Sequence, residues 1–232
     1  MCHTRRLLSL LRSLSLFELL LIVSSQFNVV EAMAPSSKAA SVRFITNKMC
    51  PFAQKAWIAL ECTQTPYKLE QVSLYGPGGK PGWFLKLNPQ GTVPVVDCND
   101  GTLVLPDSDL ILDEIGKKDT LLPKGQHLPD DPAWRQRIND MLPVGKRAVL
   151  QGLTGPLYSI LDDMENAISD DSKFLASDEP TLADCHAFPF MWRLQQEFGF
   201  GKDYPKLEAW VNTCAANPNF QKTIQRSWWW WW

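Results

Sequence analysis

The chain has 232 residues but only three histidines and six cysteines, and no two of the cysteines stand in a Cys-x-x-Cys spacing. Without a Cys/His cluster at metal-ligand spacing, a zinc site is not expected. Six scattered thiols (Cys2, Cys50, Cys62, Cys98, Cys185 and Cys214) also make no disulfide scaffold. Basic blocks are missing as well: the formal net charge is −2, which argues against nucleic acid as a partner. No uninterrupted apolar run reaches the roughly 20 residues a membrane-spanning helix needs. What remains is an ordinary globular composition, 45% apolar and 21% charged, on a chain long enough for one large or two small domains. Its cysteines read as mostly reduced thiols, any one of which could be reactive.

The two ends stand apart from the rest. Residues 1–32 read as a targeting presequence, with Arg5 and Arg6, an apolar stretch from Leu14 to Val23, and Val30-Glu-Ala32 at the usual cleavage spacing. A secretory first step, plastid import, or a cytoplasmic protein started at Met33 all fit this pattern. Once the presequence is processed, no membrane association is expected. At the other end, residues 227–232 form a tryptophan-rich tail, Trp228 to Trp232. It reads as a low-complexity extension, with an interfacial anchor as the alternative.

Val42-Arg-Phe-Ile-Thr46 is a β-branched and aromatic run that predicts a strand. Asn47-Lys-Met-Cys50-Pro51-Phe52 follows, and Ala53 to Glu61 is rich in good helix formers. Pro51 suits the first helical position, where a missing N–H costs nothing. Cys50 is thereby placed at a helix N-terminus, where free N–H groups and the helix dipole favour a thiolate and a lowered thiol pKa. Lys48 and Arg43 are placed to add positive potential. Ala53 occupies the position one turn on, and Cys62 lies about 18 Å further along a continuous helix. The chemistry is therefore expected to be monothiol, with an external thiol completing each turnover.

Tyr67 to Ser73 alternates like a second strand, Pro77 to Gly82 reads as a loop, and Trp83 to Leu87 as a short helix. In Asn88-Pro-Gln-Gly-Thr-Val93-Pro94-Val-Val96, the Val93–Pro94 bond is a candidate cis peptide between a turn and an apolar strand. Such a bend leaves the Val93 N–H and C=O free to pair with an extended peptide. Leu103 to Ile111 reads as a strand entering a helix, with Asp107 and Ser108 at the helix start. There the acid and hydroxyl could hold an ammonium and a carboxylate, or could serve only as an N-cap. Asp119 to Gln126 punctuates the chain and reads as a link between domains 42–118 and 127–226. The second of these is helical by pattern: a helix from Asp131 bent near Pro143 and Gly145, another over Gly155 to Ser169, and a last one over Lys206 to Ala216. Thr181-Leu-Ala-Asp184 has the form of a capping box, and Pro189 predicts a kink in the helix it opens. His186 reads as a satisfied core histidine.

Strand, Cys-Pro-Phe and helix in succession resemble a thioredoxin-type layout. Taken with Asn88 to Val96 and Pro106-Asp-Ser-Asp, Cys50-Pro-Phe-Ala-Gln resembles the cysteine-active branches of the glutathione transferase superfamily. Pro66-Tyr-Lys, Lys80-Pro-Gly-Trp-Phe-Leu and Asp107-Ser-Asp-Leu-Ile are most similar to plant-type dehydroascorbate reductases, with omega and lambda classes next. The chain departs from the plant type at Met49, where an acid is common. The resemblance implies an α/β N-terminal thioredoxin-like domain followed by an all-α C-terminal domain, with Asp184 in a buried folding motif. It also implies a glutathione site: Cys50 as nucleophile, Val93 pairing with the peptide backbone as shaped by Pro94, Asp107 and Ser108 on the γ-glutamyl end, and Lys80 on the glycine carboxylate. No metal is implied, and a monomer is favoured over a homodimer.

Three functions are compatible with these residues. The first is glutathione-dependent reduction of dehydroascorbate through a Cys50 mixed disulfide. The second is an omega- or lambda-like thioltransferase or deglutathionylase acting on a mixed disulfide. The third is a non-catalytic interaction protein akin to chloride intracellular channel-like relatives. Conjugation of electrophiles is disfavoured, because it normally uses a hydroxyl where this chain has Cys50.

Overall fold

The computed structural model describes residues 42–225 apart from 76–78, 100 and 124; the presequence, the Met33 start and the tryptophan tail lie outside the described residues. The sheet is built first. Strand β1 (Val42–Thr46) leads into helix α1 (Pro51–Cys62), and β2 (Lys68–Gln71) returns parallel to β1 with Phe44 opposite Leu69. Helix α2 (Gly82–Leu87) precedes β3 (Val95–Cys98) and β4 (Leu103–Leu105), and α3 (Ser108–Gly116) closes this half. The strand order is β2-β1-β3-β4, with β3 antiparallel to both of its neighbours.

Arg43 does not serve the thiol. It spans the sheet, donating to Glu70 Oε2 at 2.8 Å and to Asp97 Oδ2 at 2.7 Å, which ties β1 to β2 and β3.

Helix α1 explains much of the architecture. Ten of its twelve residues are buried, Lys55 and Gln54 included. A helix resting on a sheet alone would show an exposed stripe. Here a second layer covers the outer face: α6 (Leu182–Phe198) packs along α1, and α4 (Pro132–Gln151) and α7 (Pro205–Ala216) pack against α6. Helix α5 (Gly155–Ala167) joins α4 and α7, and the one-turn α8 (Pro218–Gln221) returns to α1. Aromatic rings seal the seam, with Phe52 edge-on to Phe190 at 5.1 Å and Phe188 edge-on to Phe220 at 5.2 Å.

Local chemistry sets the helix ends. Asp131 caps α4 by accepting from the Ala133 and Trp134 N–H groups. The helix then runs continuously past Pro143 to Gly152, whose φ of +70° suits a residue without a Cβ. The capping box at Thr181 is formed in full. Its Asp184 is completely buried and accepts from Thr181 N (2.8 Å), Thr181 Oγ1 (2.7 Å), Leu175 N (2.9 Å) and Trp210 Nε1 (2.8 Å). One carboxylate thus holds the start of α6, the segment before it, and α7. Helix α6 is continuous through Pro189.

Candidate active site

Three chain ends meet at one edge of the sheet: the C-terminus of β1, the N-terminus of β3 and the C-terminus of β4. Cys50 follows the first, Val93–Pro94 precede the second and Asp107 follows the third. Two residues beyond the Val96–Leu105 pair, the two antiparallel strands have reached Pro94 and Asp107.

Asn47 shapes the approach to the thiol. Its carbonyl accepts from Cys50 N at 2.9 Å, its side-chain oxygen accepts from Met49 N at 3.0 Å, and its amide donates to Val72 O at 3.1 Å. Cys50 then takes the N-cap position of α1 in extended conformation, with Pro51 as the first helical residue. Cys50 as a whole is partly exposed, and its sulfur lies 3.9 Å from the Val93 carbonyl oxygen.

The expected lowering of the Cys50 pKa is not what the folded chain shows. Burial pushes the thiol up, and this outweighs the helix-terminal Ala53 and Phe52 N–H groups and the Arg193 and Lys55 charges that pull it down. The helix terminus does supply donors to the sulfur. Desolvation under the second layer is the larger effect, and it cannot be read from a helix start.

The Val93–Pro94 peptide is cis. Asn88, almost completely buried, holds the turn before it: its amide donates to Thr92 O at 2.9 Å, and its backbone carbonyl accepts from Gly91 N at 2.9 Å. Gly91 has a φ of +65°, and a Cβ there would stand 2.8 Å from both Cδ and Nζ of Lys80. Lys80 therefore lies directly over the turn that leads to Val93. The structure thus brings Cys50, Val93, Pro94 and Lys80 around one edge.

At the start of α3, Asp107 caps the helix, accepting from Asp109 N at 2.7 Å and Leu110 N at 3.3 Å, while its side chain remains exposed. Ser108, the first residue of the helix, is buried. Capping occupies one Asp107 oxygen and leaves the other without a hydrogen bond among the described residues.

Two buried basic side chains carry no clear signal in the sequence. Lys55, 1% exposed, donates to Asp109 Oδ1 at 2.7 Å and stands 3.3 Å from His186 Nδ1, while His186 Nε2 lies 2.9 Å from Asn139 Oδ1. A neutral imidazole can accept from Lys55 at Nδ1 and donate to Asn139 at Nε2, while the same Nδ1 also lies 3.4 Å from Asp109 Oδ1. Burial lowers the His186 pKa, consistent with that form. His186 is a core residue. Asp109 is held well below the usual carboxylate range by His186 and Lys55, and also pairs with Arg135 at 3.5 Å.

The second cation, Arg193 of α6, is 4% exposed and reaches the first turn of α1. It donates to Gln54 Oε1 at 2.7 Å and to Pro189 O at 2.6 Å. Burial brings its pKa down to about 10. The only sequence signal for this pair was polar residues on helices otherwise apolar all round.

A cavity of about 610 Å³ also opens at the far end of α1, lined by Cys62, His127, Glu179 and Asn217 among others. None of the residues around Cys50 borders it, so the convergence of functional groups, rather than cavity size, marks the candidate site.

Comparison with known proteins agrees with this geometry. Residues 49–118 match the family model for the glutathione S-transferase N-terminal domain, and residues 141–218 match that for the C-terminal domain. The chain belongs to the glutathione S-transferase family. It is 28% identical to pyrimidodiazepine synthase of Drosophila melanogaster over 76% of this chain and 78% of that protein. It is 26% identical to Arabidopsis thaliana glutathione S-transferase DHAR3, chloroplastic, over 75% and 68%. A shorter match to the rice protein named probable glutathione S-transferase DHAR1, cytosolic, reaches 41% identity over 30% of each chain. Among solved structures, glutathione transferase Omega 3C from Trametes versicolor shares the fold with a TM-score of 0.66 at 19% identity, covering 87% of this chain and 95% of that one. Glutathione dependence follows from the family; the substrate does not.

Proposed function

We propose that this protein reduces dehydroascorbate to ascorbate at the expense of two glutathione molecules, with Cys50 as the nucleophile. The observation that carries this reading is that, among the described residues, one cysteine alone is partly exposed, and it stands at a helix N-terminus beside a cis-proline turn. Cys62, Cys98, Cys185 and Cys214 are all buried.

In this scheme the Cys50 thiolate adds to a carbonyl carbon of dehydroascorbate, whose oxygen takes up a proton. A glutathione thiolate then attacks the Cys50 sulfur. The carbon–sulfur bond breaks, its electron pair leaves with ascorbate, and a Cys50–glutathione disulfide remains. A second glutathione attacks the glutathione sulfur of that disulfide, releases oxidised glutathione and restores the Cys50 thiolate. Two thiols are oxidised to one disulfide as one dehydroascorbate gains two electrons and two protons. Backbone pairing at Val93, beside cis Pro94, would align the peptide. Lys80 would meet the glycine carboxylate, and Asp107 with Ser108 the γ-glutamyl end.

An omega-like thioltransferase reading uses the same residues and is favoured by the 24% identity to mouse glutathione S-transferase omega-1 over 76% of the chain. Protein started at Met33 decides between them. Ascorbate formation from dehydroascorbate and glutathione is measured beside hydroxyethyl disulfide reduction, in wild type and Cys50→Ser. Cys50-dependent turnover strongest on dehydroascorbate is expected. Disulfide turnover alone moves the assignment to the thioltransferase, and full turnover by Cys50→Ser overturns the nucleophile. Loss of both activities in the wild type points to a non-catalytic interaction protein. A monomer is expected by gel filtration.

A further inference from the structure

We propose that Arg193, contributed by the helical domain, is the counter-ion of the Cys50 thiolate and holds that thiol ready for reaction from beneath the first turn of α1. The inference rests on Cys50 as the reactive thiol, and it adds a positioning residue from the other half of the chain.

The argument starts from an imbalance of charge. A buried guanidinium is costly unless a carboxylate or another anion faces it. Arg193 is 4% exposed, and no carboxylate pairs with it among the described residues. Its contacts are neutral: Gln54 Oε1, the Pro189 carbonyl, and the Trp192 ring 5.6 Å from its Cζ. Its Nε has no hydrogen-bond partner among the described residues.

Gln54, which Arg193 grips, donates its own backbone N–H to the Cys50 carbonyl at 2.9 Å. The guanidinium therefore sits against the turn of helix that Cys50 caps. Among the described residues no carboxylate faces it, and the anion that Cys50 makes on losing its proton, one turn of helix away from Gln54, acts on Arg193.

The Lys55 charge also acts on Cys50, but it is already matched by Asp109 at 2.7 Å, with Asp107, Arg135 and His186 around the same pair. Arg193 has no such match, so its field reaches the sulfur uncompensated. On the side of β3, the partner of the sulfur among the described residues is the neutral Val93 carbonyl.

The test reads the thiol directly, without glutathione or dehydroascorbate. Alkylation of Cys50 by iodoacetamide is followed against pH in wild type, Arg193→Lys and Arg193→Gln, with folding checked by circular dichroism. Glutamine can still bond to Gln54 but carries no charge. Its midpoint is expected about one unit higher, so that alkylation below the midpoint falls roughly tenfold, with the plateau at high pH unchanged. Lysine should restore most of the wild-type profile.

If Arg193→Gln does not fold, the double variant Arg193→Met with Gln54→Leu removes the charge and the bond together and should show the same displacement. An Arg193→Gln or double-variant midpoint equal to wild type overturns the proposal. Because the readout involves no turnover, that outcome leaves the assigned reaction standing. Conversely, Cys50→Ser with full turnover would sink the assigned reaction while leaving the alkylation profile interpretable.

Discussion

Removing the carboxylate of Asp184 should unfasten the helical half of the molecule. The side chain is fully buried and receives four donors at 2.7–2.9 Å, three of them N–H groups whose positions are fixed by the backbone or an indole ring. In Asp184→Ala these donors lose their acceptor where water cannot replace it, at roughly 1–3 kcal/mol for each unsatisfied buried group. Loss of the N-cap interaction contributes about 1 kcal/mol. Against this stands the relief of not burying a carboxylate, worth several kcal/mol. A net loss of about 2–4 kcal/mol is expected, a large share of the roughly 5–15 kcal/mol that holds a typical domain. Asp184→Asn should lose less, about 1–2 kcal/mol: its remaining oxygen can still accept from Leu175 and Trp210, while its amide faces the Thr181 N–H. Urea unfolding of protein started at Met33, followed by circular dichroism and tryptophan fluorescence, gives both numbers. An Asp184→Ala protein that loses less than about 1 kcal/mol would refute the reasoning.

Acid should weaken the fold in two stages. His186 has a lowered pKa, so the unfolded chain binds its proton more readily; that stability is present above about pH 6.5 and is lost as the pH falls below it. Asp109 is likewise lowered, and its contribution disappears further down, below the ordinary carboxylate range near pH 4. Melting temperatures from pH 7.5 to 2 check this, and His186→Gln should remove the upper stage and weaken the lower one, since His186 helps to hold Asp109 down. Gly91→Ala combines a left-handed φ of +65° with a Cβ 2.8 Å from Lys80. About 1–2 kcal/mol of strain and a displaced Lys80 should raise the KM for glutathione five- to tenfold with kcat little changed. An unaltered KM would remove Lys80 from the glutathione site.

What the sequence made legible was local. The strand before Cys50, Pro51 at the first helical position, the cis bond at Val93–Pro94 and the Thr181–Asp184 box each follow from a few adjacent residues and appear in the fold. What it hid was tertiary. Lys55 and Gln54 sit in a run that reads as a surface-compatible helix, and nothing nearby reveals that α6 will cover them. The sign of the Cys50 shift is hidden for the same reason: a helix N-terminus is visible in sequence, but the desolvation imposed by a layer more than a hundred residues away is not. Arg43, expected to favour the thiolate, is instead engaged by Glu70 and Asp97, its partners across the sheet.

The bond between Gln54 Nε2 and Thr223 Oγ1, 3.2 Å long and joining residues 169 positions apart, has a consequence for synthesis. Thr223 is completely buried, and α8 just before it lies against α1. While the chain is still on the ribosome, Cys50 has long since emerged, but Arg193 arrives late and Thr223 later still. A nascent thioredoxin-like half therefore carries its cysteine without the lid that dehydrates it or the guanidinium beneath it. The thiol takes on its mature character only as the last helices dock, so a ribosome-bound or C-terminally truncated chain should present an ordinary cysteine in place of a tuned one.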